Sequence, residues 1–353
     1  MDNKTLQTRY AEHTGKVSDK WSIYLDVYQR LFADYVDRPI ALLEIGIQNG
    51  GSLEVWSQHF PRAYCFVGCD IDPACAQLTY EDPRVHIVVG DANQNETETT
   101  IAAINASFDI VIDDGSHISR DIVQSFCRYF PRIPLGGIFI AEDLHCSYWT
   151  EFGGGLFDPY SSIAFFKRLS DITNHEHWGI PGSRALLLET FFAHYGCSIA
   201  ESELACIHSV EFINSVCVVR KASPALNELG RRIFSGSIDL VSDERPTFSD
   251  AKAATPDQRS NQWSQIGSPP ELQLEQANAK VVVLTAQLDE KARFLAEAVR
   301  LSEEAKDVAT RGETERTRLE EDISGLSARI TAMEQSRSWR LTRPLRYLRR
   351  FLA

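Results

Sequence analysis

Paired acids follow two apolar segments of this 353-residue chain, and their side chains could bind a cation. Residues 108–117 read Phe-Asp-Ile-Val-Ile-Asp-Asp-Gly-Ser-His, and residues 138–143 read Ile-Phe-Ile-Ala-Glu-Asp. Each apolar run is typical of a buried parallel strand, so the carboxylates of Asp113, Asp114, Glu142 and Asp143 should meet at one sheet edge. Open α/β sheets bind their ligands at that edge.

Four carboxylates gathered without an intervening lysine or arginine repel one another. A shared proton or a hard divalent cation relieves the repulsion, and oxygen ligands favour magnesium, calcium or manganese over zinc. His117, three residues beyond Asp114, would lie beside the cation with a near-neutral pKa, which suits a general base. The group predicts metal-assisted deprotonation of a hydroxyl. Solvated loop acids and a packing role for His117 are the alternatives.

A glycine-rich turn follows the first predicted strand, where residues 44–52 read Glu-Ile-Gly-Ile-Gln-Asn-Gly-Gly-Ser. Glycines at positions 46, 50 and 51 allow a sharp turn and a close approach to a ligand, and the next helix offers free amides. The spacing differs from the Gly-x-Gly-x-x-Gly dinucleotide pattern. A tight turn that binds nothing is the alternative.

The Glu-x-Gly-x-x-x-Gly pattern resembles motif I of class I S-adenosylmethionine-dependent methyltransferases, which implies that cofactor. Asp70, ending the second predicted strand, matches the acid that the family uses for the ribose hydroxyls. Asp91, after the third strand, matches the acid near the adenine amino group. For Asp113, a helix cap or a structural hydrogen-bond acceptor is favoured over direct metal ligation. The cofactor-binding residues expected on this basis are Glu44, Gly46, Gly50, Ser52, Asp70, Asp91 and Asp113.

The acids resemble a narrower group, because Asp-Asp-Gly-Ser-His, Glu-Asp and the following Tyr-Trp are similar to metal-dependent sugar O-methyltransferases of the mycinamicin type. By position, this resemblance assigns magnesium (or another hard divalent cation) to Asp114, Glu142 and Asp143, and the base to His117. His145 departs from the pattern. It could assist the metal, touch the substrate or take part of the role of His117.

The N-terminal Ser18-Asp19-Lys20 resembles a Thr-Asp-Lys element of related methyltransferases. A simple surface pair of Asp19 with Lys20 is the alternative. The whole catalytic resemblance covers roughly residues 10–222.

Composition narrows the class of protein. The net charge of -13 argues against a nucleic-acid partner, because phosphate contacts need a basic surface. All eight cysteines lie before residue 222 without paired Cys-x-x-Cys spacing, which predicts buried free thiols in a reducing cytoplasm. No signal-like or membrane-spanning apolar run is present in the sequence, so we expect a cytoplasmic protein.

Alternating strands and helices predict an α/β fold, a Rossmann-like doubly wound sheet with a C-terminal antiparallel hairpin, followed by a linker and a long α-helical coiled coil. The expected divisions are a helical lid or flank at 1–38, the methyltransferase domain at 39–222, a partly disordered linker at 223–270, the coiled coil at 271–336 and a basic amphipathic tail at 337–353. The expected strands are 40–45, 64–69, 85–89, 110–112, 138–140, 206–213 and 215–220, and the main expected helices are 52–59, 73–79, 95–105, 119–129 and 183–195.

Apolar residues repeat every seven positions between residues 274 and 333, with a weaker centre near Ser302, Gly312 and Arg316. This period predicts a coiled coil and hence a homo-oligomer. Six arginines and no acids follow residue 336, interleaved with apolar residues. That tail could bind a membrane surface, or dock on the coiled coil or another protein.

These features together predict an O-methyltransferase that acts on a sugar hydroxyl. The tail resembles segments bordering coiled coils in bacterial surface-polysaccharide enzymes, which favours surface-polysaccharide or glycoconjugate synthesis, with peripheral contact at the inner membrane or with glycan-synthesis enzymes. One alternative is methylation of a glycosylated natural product. Another is an inactive methyltransferase-like scaffold that recruits glycan-synthesis enzymes.

Overall fold

The computed structural model describes residues 4–238, 240–241, 254–261, 263–264, 270–344 and 346. Much of the predicted linker and most of the basic tail beyond residue 344 therefore lie outside the described residues. The chain forms two compact units, Met1–Leu272 and Gln273–Ala353.

The first unit contains one seven-stranded sheet in the order β3-β2-β1-β4-β5-β7-β6. Strands β1 to β5 are parallel, while β7 pairs antiparallel with β5 and β6 antiparallel with β7. The strands are β1 Ala41–Ile45, β2 Cys65–Asp70, β3 Val85–Val89, β4 Ile110–Asp113, β5 Ile138–Ala141, β6 Ile207–Ile213 and β7 Val216–Lys221. The predicted strands and the C-terminal hairpin are confirmed, with ends that differ by at most one residue.

Helices cover both faces of this sheet. They are α1 Leu6–Glu12, α2 Ser22–Phe32, α3 Gly51–His59, α4 Asn95–Ile104, α5 Ser119–Tyr129, α6 Ser162–Thr173, α7 Glu189–Tyr195 and α8 Glu201–Leu204. Two predicted helices differ in type. Pro73–Gln77 forms a short 3-10 turn capped by the Asp72 side chain, and the helix expected at 183–195 begins as the 3-10 segment Arg184–Leu188.

Alternate residues of the central strands enter two separate apolar layers, as the pleat requires. One layer contains Phe126, Phe139 and Phe166 from α5, β5 and α6. The other contains Tyr28 and Phe32 of α2, packed with Trp56 of α3. The N-terminal helices are therefore built into the core of the sheet domain, because the apolar face of α2 is fully buried there.

The second unit is dominated by the helix α9, Pro270–Gln335, followed by the short helix α10, Arg337–Leu341. At 1.5 Å per residue, its 66 residues extend for about 99 Å. Apolar side chains along α9, such as Leu288, Leu295 and Ile323, are exposed.

The structure describes the state of the cysteines and the apolar character of the helices. All eight cysteines are free thiols, six of them buried, as the sequence predicted. In the described part of the chain, no helix combines the length and the apolar character needed to span a bilayer.

Candidate functional site

A cleft of about 570 Å³ lies at the carboxyl ends of the central parallel strands. It is lined by the turns that follow β1 to β5, together with residues 17–20 of the N-terminal segment. Of the predicted site residues, those that line it are Gly46, Ser52, Asp70, Asp91, Asp113, Asp114, His117 and Asp143. The location is the one expected for an open α/β sheet.

Gly46 allows the turn after β1 to touch the turn after β4. Its φ is +83°, and a Cβ there would lie 2.1 Å from the carbonyl oxygen of Asp114. Gly50 also has a positive φ and caps α3, but it lies against the Tyr80 hydroxyl and does not line the cleft. Close packing of the loops thus explains why both positions are glycine.

Glu44 lies beneath the cleft instead of facing it. Its carboxylate is fully buried, and Oε2 accepts hydrogen bonds from Ser52 Oγ at 2.7 Å and Trp56 Nε1 at 3.1 Å. The expected direct contact of Glu44 with a cofactor is therefore not reproduced by this structure. Because Ser52 lines the cleft, Glu44 can act on a ligand only through such neighbours.

The acids after β2 and β3 are held in place by backbone amides. Asp70 Oδ2 accepts from the N–H groups of Ile47 and Gln48, at 2.9 and 2.8 Å, which ties the glycine turn to the end of β2. Asp91 Oδ1 accepts from the amide of Asn93 at 2.9 Å. Both carboxylates line the cleft, and these hydrogen bonds fix their orientation.

Asp113 is the most deeply buried acid of the cleft wall. Burial raises the pKa of its carboxyl to about 7. The Ser125 hydroxyl interacts with this carboxyl, the amide of Gly115 donates to its Oδ1 at 3.4 Å, and both Asp113 and Ser125 line the cleft.

The buried ammonium group of Lys20 lies among the acids, so the prediction that no cation intervenes was wrong. Lys20 Nζ is 2.5 Å from Asp114 Oδ2, 2.7 Å from Glu142 Oε1 and 3.6 Å from Glu44 Oε1. Its side chain is only 2% exposed, which also excludes the suggested surface pair with Asp19.

Backbone contacts bring the N-terminal segment over the cleft. The amide of Gly51 donates to the carbonyl of Val17 at 3.3 Å, and the amide of Lys16 donates to Glu54 Oε2 at 2.8 Å. A Cβ on Gly51 would lie 2.1 Å from the carbonyl oxygen of Lys16, so only glycine permits this approach. The segment thereby directs Lys20 inward.

The charges in this cluster do not fully cancel. Burial by itself lowers the pKa of Lys20, but Glu142, Asp114 and Glu44 together raise it well above its ordinary value, so the ammonium is charged. Burial raises the pKa of Asp114 and of Glu142 to about 7 despite the attraction of Lys20. One ammonium thus leaves excess negative charge, which a divalent cation nearby would offset.

The carboxylate of Glu142 is directed away from the cleft. The hydroxyl of Tyr28, fully buried on α2, donates to its Oε1, the same oxygen that contacts Lys20. The ligand atoms that lie within 4.8 Å of one another belong instead to Asp114, His117 and Asp143. In this structure His117 takes the place that the sequence assigned to Glu142, and the donor set of two carboxylates and one imidazole fits a divalent cation.

The side chain of Asp143 is fixed by two aromatic residues of the N-terminal segment. Its Oδ1 accepts from Tyr24 Oη at 2.6 Å and from Trp21 Nε1 at 3.1 Å, while Oδ2 lies 3.6 Å from His117 Nε2. Burial lowers the pKa of His117, so its ring is neutral at pH 7 and able to accept a proton or bind a metal.

Backbone strain is concentrated at this site. The non-glycine residues with positive φ in the described part of the chain are Gln48, His117, Asp143 and Ser215. Gln48, His117 and Asp143 line the cleft, and Ser215 Oγ lies 2.5 Å from Nδ1 of His145. Such conformations persist only where the surrounding structure enforces them, and they are common at functional sites.

His145 lies beside the site but not in the cleft wall. Its Nδ1 is engaged by Ser215 and is 3.9 Å from Asp143 Oδ1. Its ring lies between the indoles of Trp21 and Trp149, with centroid distances of 6.0 and 5.0 Å. The structure therefore places His145 in an aromatic group next to the acids, and not among the clustered donor atoms of Asp114, His117 and Asp143.

Three residues of the site were missed because they lie on α2 or just before it. Tyr24 and Tyr28 were predicted only as part of the helical segment 1–38, and Trp21 was assigned no role, yet each of the three donates a hydrogen bond to Asp143 or Glu142. The available signal was the i, i+3, i+7 spacing, which places all three side chains on one helical face directly after Lys20.

The sequence is similar to several known O-methyltransferases. No family model matches the sequence. The chain is 39% identical over 171 residues to the 8-demethyl-8-alpha-L-rhamnosyl tetracenomycin-C 2'-O-methyltransferase of Streptomyces olivaceus, covering 46% of this chain and 44% of that protein. It is 36% identical over 160 residues to the mycinamicin VI 2''-O-methyltransferase of Micromonospora griseorubida, covering 42% and 39% respectively.

A solved structure of MycE methyltransferase from the mycinamycin biosynthetic pathway, in complex with Mg, SAH and mycinamycin VI, is also similar. The TM-score is 0.52 and the identity 27%, covering 63% of this chain and 55% of that chain. The sheet and its helices therefore have a Rossmann-like methyltransferase fold. The chain spans less than half the length of the two curated relatives.

Proposed function

We propose that this chain is an S-adenosylmethionine-dependent, divalent-metal-assisted O-methyltransferase that acts on a sugar hydroxyl of a glycosylated small molecule. The observation that carries the proposal is the single cleft in which Asp70 and Asp91 adjoin Asp114, His117 and Asp143. The curated relatives support it, because their names describe O-methylation of rhamnosyl tetracenomycin and of mycinamicin VI.

The cofactor half of the cleft is the part near Asp70, Asp91 and the turn at Gly46. S-adenosylmethionine bound there would supply the methyl group, and the fixed acids would hold its ribose and adenine. Asp113 and Ser125, which line the same part of the cleft, would offer it further polar contacts. Glu44 supports the turn through Ser52 and does not contact the ligand itself.

The acceptor half is the part near Asp114, His117 and Asp143. A divalent cation held by the carboxylates of Asp114 and Asp143 would bind hydroxyl oxygens of the acceptor and lower the pKa of the reacting one, which leaves the imidazole of His117 available as the base. His117, neutral at pH 7, takes the hydroxyl proton at Nε2, and Asp143 stabilises the imidazolium from 3.6 Å. Lys20 holds the carboxylates of Asp114 and Glu142 in position, and Tyr28 donates to Glu142 behind the reacting groups.

The acceptor class is inferred from two lines of support. A metal with a nearby base suits vicinal hydroxyls, which sugars provide. The names of the relatives favour a glycosylated natural product over the surface polysaccharide that the C-terminal segments suggested. The inactive-scaffold alternative is disfavoured by the donor set, since a purely structural domain has no need of strained His117 and Asp143.

Cofactor titration and turnover test this proposal. Calorimetry with S-adenosylhomocysteine and Mg²⁺ should give a binding isotherm that Asp70→Asn weakens, because the carboxylate also holds the amides of Ile47 and Gln48. His117→Ala should keep that binding but lower kcat for a rhamnosylated acceptor by roughly 10²- to 10⁴-fold. His86→Ala, an exposed histidine on β3, is the matched control. Absence of cofactor binding by the wild-type chain would exclude the enzyme.

We also propose that α9 pairs with the same helix of a second copy of the chain. Its apolar seam is exposed along the helix, and it continues through the weak centre. Leu301 and Val308 are exposed one residue before Ser302 and Ala309, so the seam persists by a local change of register. A helix about 99 Å long with such a seam needs a partner to cover it.

Sedimentation velocity on the full chain tests the pairing. The double variant Leu326→Asp, Ile330→Asp places charges on the seam and should give monomers, whereas Ala328→Asp on the opposite face should not. A wild-type chain that is monomeric at tens of micromolar would refute the pairing. Contact of the basic tail with a membrane or a partner protein stays a prediction, as does a cytoplasmic location.

A further inference from the structure

An aromatic rim borders the acceptor half of the cleft. The indole of Trp21 meets the ring of His145 edge to face at 6.0 Å, and His145 meets Trp149 at 5.0 Å. Trp149 is 6.0 Å from Phe152, whose ring is 6.4 Å from His117. The rings thus form a continuous series that begins at a residue bonded to Asp143 and ends at His117.

The rim is exposed to an extent that packing alone does not explain. Trp21 is 60% exposed and Trp149 is 49% exposed, although tryptophan is usually among the most buried side chains. Beyond them, Leu156 and Phe157 are 67% and 86% exposed. A concentrated exposed apolar surface next to a polar cleft is typical of a binding site.

The orientation of the two indoles is fixed by their neighbours. Trp21 donates its Nε1–H to Asp143 Oδ1 at 3.1 Å, so its polar edge is occupied and its ring is held against the acids. Trp149 is packed between His145 and Phe152, and its carbonyl accepts from the amides of Phe152 and Gly154. For Trp21, what remains for a ligand is therefore ring surface.

We propose that Trp21, Trp149 and Phe152 form the acceptor subsite and pack against the C–H face of the sugar ring. The inference rests on the proposed function and names the residues that recognise its acceptor. Aromatic faces carry negative partial charge and attract the polarised C–H groups that a pyranose presents on one face. The equatorial edge of the same ring carries hydroxyls, which would point toward Asp114 and His117.

The sugar, and not the apolar part of the acceptor, is placed here because of distance. The Trp21 indole and the metal-binding set share the carboxylate of Asp143. A group in contact with that indole is therefore within one sugar ring of the reacting hydroxyl. Leu156 and Phe157, farther along the loop, remain for the rest of the acceptor.

Saturation-transfer NMR on the full chain with methyl α-L-rhamnopyranoside tests the subsite. The protein would be loaded with S-adenosylhomocysteine and Mg²⁺, and its aromatic protons irradiated. We expect strong transfer to the C–H protons of one sugar face. Trp149→Ala should raise the Kd of the glycoside roughly 3- to 10-fold, and Trp149→Phe should recover most of the affinity. Trp263→Ala, another exposed tryptophan, is the matched control.

The outcomes separate this inference from the proposed function. Calorimetry with S-adenosylhomocysteine on the same samples reports whether the cofactor half is intact. Retained cofactor binding with weakened glycoside binding in Trp149→Ala supports the subsite. Retained cofactor binding with no transfer to the wild type, or with equal transfer in Trp149→Ala and the wild type, overturns the subsite and leaves the methyltransferase proposal standing. Loss of cofactor binding in the wild type itself would overturn both.

Discussion

Replacing Lys20 by methionine is the most informative single perturbation of the site. Methionine keeps an unbranched side chain of similar length but removes the ammonium group from between Asp114, Glu142 and Glu44. All three carboxylates would then face one another without a protein counter-charge. Removing one partner of a buried ion pair costs about 3–5 kcal/mol, because the remaining charge stays desolvated.

The expected loss of thermal stability follows from the size of the domain. At roughly 2–4 °C per kcal/mol for a domain of this size, the melting temperature should fall by about 6–20 °C. Lys16→Met is the matched control. Its ammonium pairs with Glu54 at 2.6 Å near the surface, where such a pair contributes about 1 kcal/mol or less.

The stability difference between Lys20→Met and the wild type should grow as the pH rises. The pKa values of Asp114 and Glu142 are raised to about 7 even with Lys20 present, and its loss should raise them further. The folded variant would then keep protons that the unfolded chain has already released. Its stability relative to the wild type should fall above pH 7 by about 1.4 kcal/mol per pH unit for each such proton.

Differential scanning calorimetry of both variants at pH 6, 7 and 8.5 checks these expectations. The difference between Lys20→Met and the wild type should be largest at pH 8.5 and smallest at pH 6. If Lys20→Met melts within about 2 °C of Lys16→Met at every pH, the cluster does not depend on a buried ammonium and the reasoning fails.

Three further perturbations have defined outcomes. Gly46→Ala should destabilise the domain by more than about 3 kcal/mol in urea titrations, because its Cβ meets the Asp114 backbone at a φ of +83°. Tyr28→Phe should cost about 1–3 kcal/mol in the same assay, because Glu142 loses a buried donor. Burial lowers the pKa of His59 to about 4, so protonation of the unfolded chain weakens folding as the pH falls from 6.5 to 4. In the wild type this effect should lower the free energy of unfolding at pH 4, relative to pH 7, by on the order of 3 kcal/mol. His59→Gln should remove that contribution, which thermal unfolding at the two pH values would measure.

Many features of the catalytic unit were predictable because they depend on local periodicity. Buried parallel strands are short apolar runs, and these end at Asp70 and Asp113 or just before Glu142. Parallel strands of one sheet bring their carboxyl ends together at one edge. The alternation of strands and helices along the chain was therefore enough to predict which edge of the sheet holds the cleft. The glycine turn was equally local, since its positions 46 and 50 require positive φ.

Tertiary packing decided what those residues contact. Lys20 lies 94 positions from Asp114 and 122 from Glu142, and the aromatic donors Trp21, Tyr24 and Tyr28 are similarly distant from their acceptors. No local pattern specifies such partners. They depend on which face of α2 packs against the sheet and on where the first residue of α2 lies relative to the acids. That packing turned Glu142 toward Lys20 and left Asp114, His117 and Asp143 as the clustered donors. The sequence by itself determined which chemical groups reach the cleft, whereas the burial of one apolar helix determined how they are paired.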